Sequence, residues 1–374
     1  MNPMNLGLAY LSRRRFIGCL ASASLASHSL LAADDKADDL QDLLRTIIKD
    51  SQVPAMAGGA MRGGKLVALA VSGVRRLGHP ETVTTDDKFH IGSCTKAMTA
   101  SLAAMLVESK KLGWDSKLTE VFPERREKFH SEFRDTTLEI LLTHRSGLAH
   151  DGSFQGIPKK PVTEQRLAYM DAILSKPPAH EVGAFNYSNA GYIIVGAMLE
   201  RLTGKSWEDL IQEKLFTPLS MTSAGFGPCS KPNQTDQPWG HVFVADTFVP
   251  RYGDNHPGLG PAGTVHCSVA DYLKFASWHA SMGTRHPELL TRPSFEKLHE
   301  PAKSSYAKGW VVAKRPWAKG TALTHTGSNT MNFLVVWVAP EIDLALAVAC
   351  NAASDKVPRA MDRLAAEFVK RFAA

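Results

Sequence analysis

Strand-like segments at the two ends of the chain, with helical, loop-rich sequence between them, predict an α+β fold whose sheet is assembled from both termini. Three observations carry that expectation. A Gly-Gly turn joins two apolar runs near residue 63, four short apolar runs crowd together between residues 308 and 350, and the long middle of the chain reads as helices separated by Pro and Gly. At 374 residues the chain can form two domains, or one with a large insertion. The pattern suggests a sheet domain from 34–113 plus 301–374 and a mainly helical domain, 114–300, inserted into it.

Each element has a local cause. Residues 37–50 place Leu40, Leu43, Leu44, Ile47 and Ile48 along one side of an amphipathic helix. "PAMAGGAMRGGKLVALAVSGVRR" reads as a hairpin turning at Arg62-Gly63-Gly64. Next, "AMTASLAAMLVESKKLGW" carries Met98, Leu102, Met105 and Leu106 at helical spacing, with alanines filling much of the rest, as in a helix buried on nearly all sides. Pro and Gly clusters near 157–161, 177–183 and 228–240 punctuate the middle region. Strand character returns in "KGWVVAKR", "ALTHTG", "NFLVVWVAP" and "LALAVAC", and a last helix over 358–372 aligns Met361, Leu364, Phe368 and Phe372. A pocket is expected where the two parts meet.

The first 33 residues hold Arg13, Arg14 and Arg15 and no acid; a Ser/Ala-rich apolar stretch follows, and then an abrupt acidic start at Asp34. That is the order of an export signal, with "SRRRF" resembling the twin-arginine type and cleavage expected near Ala32 or Ala33. The apolar stretch is short and interrupted by Ser and His, a poor membrane span, and no other segment looks transmembrane. The mature protein is therefore expected to be exported, periplasmic or extracellular. Without the leader arginines 40 basic residues face 37 acidic ones, and a net +3 is no electrostatic footprint for nucleic acid. Cys94, Cys229, Cys267 and Cys350 match no zinc spacing, so no metal or other cofactor is expected, and they read as free thiols rather than disulfides. The sequence does not set an oligomeric state.

Ser-x-x-Lys occurs three times, at Ser93–Lys96, Ser294–Lys297 and Ser305–Lys308. Only the first opens an apolar helix; the other two lie in charged or polar surroundings and read as surface coincidences. In the first turn of a helix, residues at i and i+3 meet. The free N–H groups there favour developing negative charge, and a lysine stripped of water has its pKa pushed down, so that it can accept a proton from Ser93. The plainer alternative is a capping serine beside a solvated lysine. In "FNYSNAGY", Tyr187 near a lysine could act as a general base, and Asn189 offers both donor and acceptor to an amide; a buried Tyr and a turn-forming Asn would explain the same residues. In "LTHTGSN", His325 could supply a donor or positive charge and Gly327 would let a substrate approach the backbone. His150-x-Gly152 shows how easily such a pair arises.

The order of these elements resembles the serine β-lactamase and penicillin-binding protein superfamily, in its class C β-lactamase and DD-peptidase-like branch. Four further segments are similar to that branch: "LLTHRSGL" (141–148), "FTPLSMTSAGF" (216–226, with Ser220 in place of a Gly), "GPAGTVHCSVADYLKF" (260–275) and "YAKGW" (306–310). The resemblance runs from about residue 40 to the C-terminus. It implies a β-lactamase/transpeptidase-like fold, an antiparallel sheet flanked by helices with an inserted helical domain. It also implies Ser93 as nucleophile, Lys96 as its activating partner and Tyr187 as proton shuttle. Substrate binding would fall to Asn189, His325, Thr326, Gly327 and Ser328, with the backbone N–H groups of Ser93 and Ser328 as oxyanion hole. Which of Lys96 and Tyr187 is the base stays open.

Departures from the branch are few. His325 stands where class C β-lactamases carry Lys, as in DD-peptidases and some esterases, and Val182 stands where a Pro usually precedes Gly183. His144, in "LLTHRSGL", reads as structural because the serine already has partners. No Gly-x-Ser-x-Gly elbow, zinc-binding His-Glu-x-x-His or phosphate loop competes. The expected function is a serine hydrolase acting through an acyl-enzyme on a small-molecule or peptide substrate: an ester, an amide, a D-Ala-type peptide or a β-lactam. The alternative from another class is a catalytically silent, penicillin-binding-like protein that recognises cell-wall peptides.

Overall fold

A computed structural model describes residues 39–373. The expected export signal, residues 1–33, lies outside the described residues. The chain forms α1 (39–51), β1 (Ala55–Arg62) and β2 (Lys65–Gly73), then the buried helix α2 (Thr95–Glu108). In the middle region the longest helix is α3 (Asn189–Thr203), followed later by α4 (Val269–Ala280). Four strands close the sheet, β3 (Val311–Arg315), β4 (Gly320–Ser328), β5 (Phe333–Ala339) and β6 (Leu344–Cys350), before α5 (Val357–Phe372).

The six strands form one antiparallel sheet in the order β2-β1-β6-β5-β4-β3, joining both ends of the chain as expected. The β1–β2 turn works because Gly63 and Gly64 take φ of +57° and +76°, which a two-residue hairpin loop with positive φ at both positions requires. All seven residues of β6 are buried, so its apolar run shows no alternation with polar residues. One face of the sheet meets α1 and α5, where Leu40, Leu44 and Ile47 pack with Met361, Leu364 and Phe368. The other face meets α4, against the small side chains Ala345, Ala347 and Ala349.

α4 falls within the expected helical insertion, 114–300, yet lies on the sheet, because its apolar stripe finds an uncovered face there. The middle region also holds short strands: Lys88–His90 pairs with Val265–Ser268, and Gly240–Val244 with Thr247–Arg251. These are too short for a period to be read from sequence. Fully buried Arg166 ties the region together, donating to Glu200 and Glu208 and to the carbonyl oxygens of Pro257 and Gly258. Arg166 thereby ties residues 257 and 258 to α3, and Thr99 Oγ1 of α2 donates to Pro261 O at 2.7 Å.

Candidate active site

Ser93 stands at a strand-to-helix junction. A short 3-10 turn, Gly92–Cys94, precedes α2, so Ser93 sits just ahead of the helix rather than within its first turn, and Lys96 is the residue inside it. The i to i+3 meeting survives: Lys96 Nζ lies 2.9 Å from Ser93 Oγ. The end of β4 packs backbone against backbone on this turn. A Cβ on Gly327 would come within 1.9 Å of Ile91 O, and one on Gly92 within 2.3 Å of the Ser328 nitrogen. Only glycines allow that approach, and it brings the Ser93 and Ser328 backbones to one end of an open cleft of about 710 Å³.

Tyr187 and Asn189 arrive on the other wall through a helix cap. Ser188 caps α3 by accepting from Gly191 N–H, leaving Tyr187 just before the helix and Asn189 as its first residue. His144 supports that segment: its Nδ1 accepts from Ser188 N–H, its carbonyl accepts from Asn186 N–H, and its ring centroid lies 4.3 Å from that of Tyr187. The imidazole is buried and held well below its usual pKa by that burial, as befits a structural residue.

Lys96 is wholly buried, and burial lowers its pKa from 10.5 to about 7. Its partners are all uncharged: besides Ser93 Oγ, Nζ donates to Asn189 Oδ1 at 2.6 Å and to Ala262 O at 2.8 Å. A neutral amine has two N–H groups and one lone pair. Two of its three neighbours can only accept, so the lone pair is left for Ser93 Oγ. Asn189 is oriented for this task, because its Nδ2 donates to Asp151 Oδ1 at 2.8 Å. Burial also holds the Tyr187 phenol well above its usual value, despite its contact with Ser93, so this group is a proton donor rather than an anion at neutral pH.

His325 differs from the sequence expectation of a free donor or positive charge. The ring is buried, and burial, with Lys96 nearby, lowers its pKa to about 4. Both nitrogens are taken: Nδ1 reaches Thr326 O at 2.6 Å, and Nε2 lies 3.1 Å from the Tyr306 hydroxyl. Thr326 is exposed to the cleft, while Gly327 is buried behind it.

The structure thus brings Ser93, Lys96, Tyr187, Asn189, His325 and the Thr326–Ser328 strand end to one place. It does not do so for the other two Ser-x-x-Lys pairs, although Lys308 is a correction: it is fully buried, 3.1 Å from Glu139, and no surface residue. Sequence reading missed Asp151, which lies beside the dismissed His150 and lines the cleft, as well as His90 and Asp254 behind the serine turn. Single acids in loops and a histidine ending a three-residue strand give no pattern from which to find them. Among the described residues no cluster of His, Cys, Asp and Glu could hold a metal ion, and no helix is long and apolar enough to cross a membrane. Cys94, Cys229, Cys267 and Cys350 are free thiols.

Comparison with known proteins gives a consistent family. Penicillin-binding protein 4 of Amycolatopsis lactamdurans is 28% identical over 327 residues, spanning 83% of each chain. The unguisins hydrolase ungD' of Aspergillus campestris is 26% identical over 61% of this chain, which spans only 46% of that longer protein. Among solved structures, D-amino acid amidase from Ochrobactrum anthropi superposes with a TM-score of 0.71 at 20% identity, covering 90% of this chain and 99% of that one, a likeness of fold. The sequence model of the Beta-lactamase family matches residues 40–370, and with the antiparallel sheet, flanking helices and serine turn described above, the chain belongs to that family.

Proposed function

We propose that the protein is an exported serine hydrolase that cleaves esters or amides through an acyl-enzyme on Ser93, with Lys96 as the activating base. The observation that carries this reading is the buried Lys96 amine, its pKa lowered to about 7 by burial, placed between the acceptors Asn189 Oδ1 and Ala262 O and Ser93 Oγ, so that its deprotonated form presents a lone pair to the serine. As Ser93 Oγ bonds to the substrate carbonyl carbon, its proton passes to Lys96 Nζ, and the oxyanion is met by the N–H groups of Ser93 and Ser328. Collapse of the tetrahedral intermediate breaks the bond to the leaving group, which takes a proton from Tyr187; Tyr187 is reprotonated from Lys96. Water then attacks the acyl-enzyme by the reverse sequence, releasing acid and restoring Ser93 Oγ–H.

The cleft also supports a reading of substrate charge. Among the described residues lining it there is no Lys or Arg, His325 is neutral with both nitrogens engaged, and Asp151 is the one carboxylate. The other histidines of the lining are His150, paired with Asp151 at 2.5 Å, and His256, whose pKa burial lowers; with no Lys or Arg to meet a substrate carboxylate, the acyl donors that fit best are neutral or carry an ammonium group. Export is supported by the basic, acid-free leader ending near Ala33; a mature N-terminus near Asp34 on protein recovered outside the cytoplasm is the expected result, and an intact leader on all of it would refute export.

The test is to measure kcat/KM for p-nitrophenyl butyrate, D-alanine p-nitroanilide and benzylpenicillin, with intact mass and peptide mapping of each mixture. Turnover of the first two, with acyl mass on Ser93 and penicillin at least tenfold slower, is expected. Fast penicillin hydrolysis would overturn the charge preference, and acylation at another residue would overturn the mechanism. His325→Lys should move preference toward the carboxylate-bearing substrate.

A further inference from the structure

Behind the serine turn, outside the cleft's own chemistry, lies a buried His–Asp pair that the mechanism above does not use. His90 ends the strand Lys88–His90 and is 1% exposed; its Nε2 lies 2.9 Å from Asp254 Oδ1, and the Asp254 side chain is 3% exposed. That contact is one of proximity, since the ring N–H is not aligned for a hydrogen bond to the carboxylate; on its other side, His90 Nδ1 accepts the backbone N–H of Gly92 at 3.1 Å. The same Asp254 oxygen accepts from Asn329 Nδ2 at 3.0 Å and from Asn255 N–H at 2.7 Å. Asn329 Oδ1 in turn accepts from Met331 N–H and Asn332 Nδ2, so its amide has a fixed orientation. Asn255 carries the bracket a step further, donating from Nδ2 to Gly263 O at 2.8 Å on the cleft wall.

Gly92 immediately precedes Ser93 and Asn329 immediately follows Ser328. One carboxylate oxygen therefore meets both sides of the place where the two oxyanion donors lie, by close contact with His90 on one arm and by a hydrogen bond from Asn329 on the other. A charged acceptor is suited to this, since its hydrogen bonds are shorter and stronger than neutral ones, and a buried carboxylate that loses its donors is costly. The turn needs such a tie. Gly92 sits at φ +50°, with its backbone packed directly on that of β4. Hydrogen-bond donors stabilise a tetrahedral oxyanion only when held in place before the charge appears.

We infer that Asp254, acting through His90 and Asn329, is a positioning residue that sets the spacing of the Ser93 and Ser328 N–H groups. This rests on the acyl-enzyme reading above. Asp254 touches no substrate, so its loss should act on the tetrahedral state and not on ground-state binding. The experiment measures p-nitrophenyl butyrate hydrolysis and the Ki of phenylboronic acid, a probe that forms a tetrahedral adduct on a reactive serine, for the wild type, Asp254→Asn, Asp254→Ala, His90→Asn and Asn329→Ala.

Expected for Asp254→Ala is a fall in kcat and a matching rise in boronate Ki, each by roughly 10- to 100-fold, with KM within about twofold and the pH midpoint of kcat/KM unchanged because Lys96 is untouched. Asp254→Asn should recover part of both losses, and the single-arm variants His90→Asn and Asn329→Ala should each show a smaller loss of the same kind. These two keep the inference testable if Asp254→Ala does not fold. Folded variants with wild-type kcat and Ki would overturn it, as would lost activity accompanied by lower thermal stability but unchanged boronate Ki. A wild type that neither turns over the ester nor binds the boronate would overturn the acyl-enzyme reading itself.

Discussion

Three copies of Ser-x-x-Lys in one chain have three fates, and the difference between them shows what the motif needs. Ser93 and Lys96 lie on a turn running into a helix, and the lysine is buried among uncharged partners, so the pair touches and burial brings the amine's pKa down to about 7. Ser305 and Lys308 are on irregular backbone: Lys308 is as buried as Lys96, but Ser305 points to solvent, and the amine is held by Glu139. Burial lowers the Lys308 pKa and the carboxylate pulls it back up. Ser294 and Lys297 do share a helix, Arg292–His299, yet Ser294 bonds Glu108 and Lys297 is partly exposed between Glu139 and Glu300, its pKa raised by the hydrogen bond to Glu300. Helical spacing brings serine to lysine; burial without a directly bonded carboxylate lowers the lysine's pKa. Only the first pair has both.

The comparison can be broken most sharply at the serines. Ser93→Ala should reduce kcat/KM for p-nitrophenyl butyrate by about 10³-fold or more at unchanged melting temperature, while Ser305→Ala stays within about twofold of wild type. Equal losses would refute the assignment.

The lysines separate next. Lys96→Met should lose roughly 10²- to 10⁴-fold in kcat/KM, and wild-type kcat/KM should rise with pH through about 7 as Lys96 loses its proton. Between that value and 10.5 the unfolded chain holds the extra proton, so this group's contribution to stability grows with pH across that window and is lost as pH falls through 7. Lys96→Met should therefore melt higher than wild type at pH 6, by a margin that shrinks toward pH 10. Lys308→Met should do the reverse: it leaves Glu139 short of a partner and costs about 1–3 kcal/mol in urea unfolding, with kcat/KM within a few fold of wild type.

The smallest effect sharpens the picture of the Lys96 site. The negative charge of Asp151 raises the Lys96 pKa, against the larger effect of burial. Asp151→Asn should move the acid limb of the kcat/KM profile to lower pH and reduce the plateau modestly, because Asn189 is less firmly oriented. A limb that moves upward would contradict the contact.

Much of this was legible beforehand. The hairpin at Gly63-Gly64, the two covering helices and the late strands follow from periodicity, and the residues 93, 96, 187, 189 and 325–328 follow from motif order set against a family resemblance. The short strands Lys88–His90 and Val265–Ser268 were not legible, since three or four residues carry no measurable period. Nor was the seat of α4, whose stripe predicts a buried face but not which surface covers it. Asp151 and Asp254 are single acids in loops, and their partners come from distant parts of the chain: Asn189 for the first, His90 and Asn329 for the second.

By itself the sequence determined what repeats at short range: which segments are strands and helices, and which serine precedes a helix apolar enough to be buried. It also contained the glycines at 92 and 327 without which that turn could not meet β4. Tertiary structure alone decided the ionisation of Lys96, the occupation of both His325 nitrogens and the tie from Asp254 to the serine turn. The physical reason is that a pKa or a hydrogen-bond partner depends on what lies within a few ångströms in space, and at this site those neighbours are contributed by α2, α3, β4 and the 254–263 segment together.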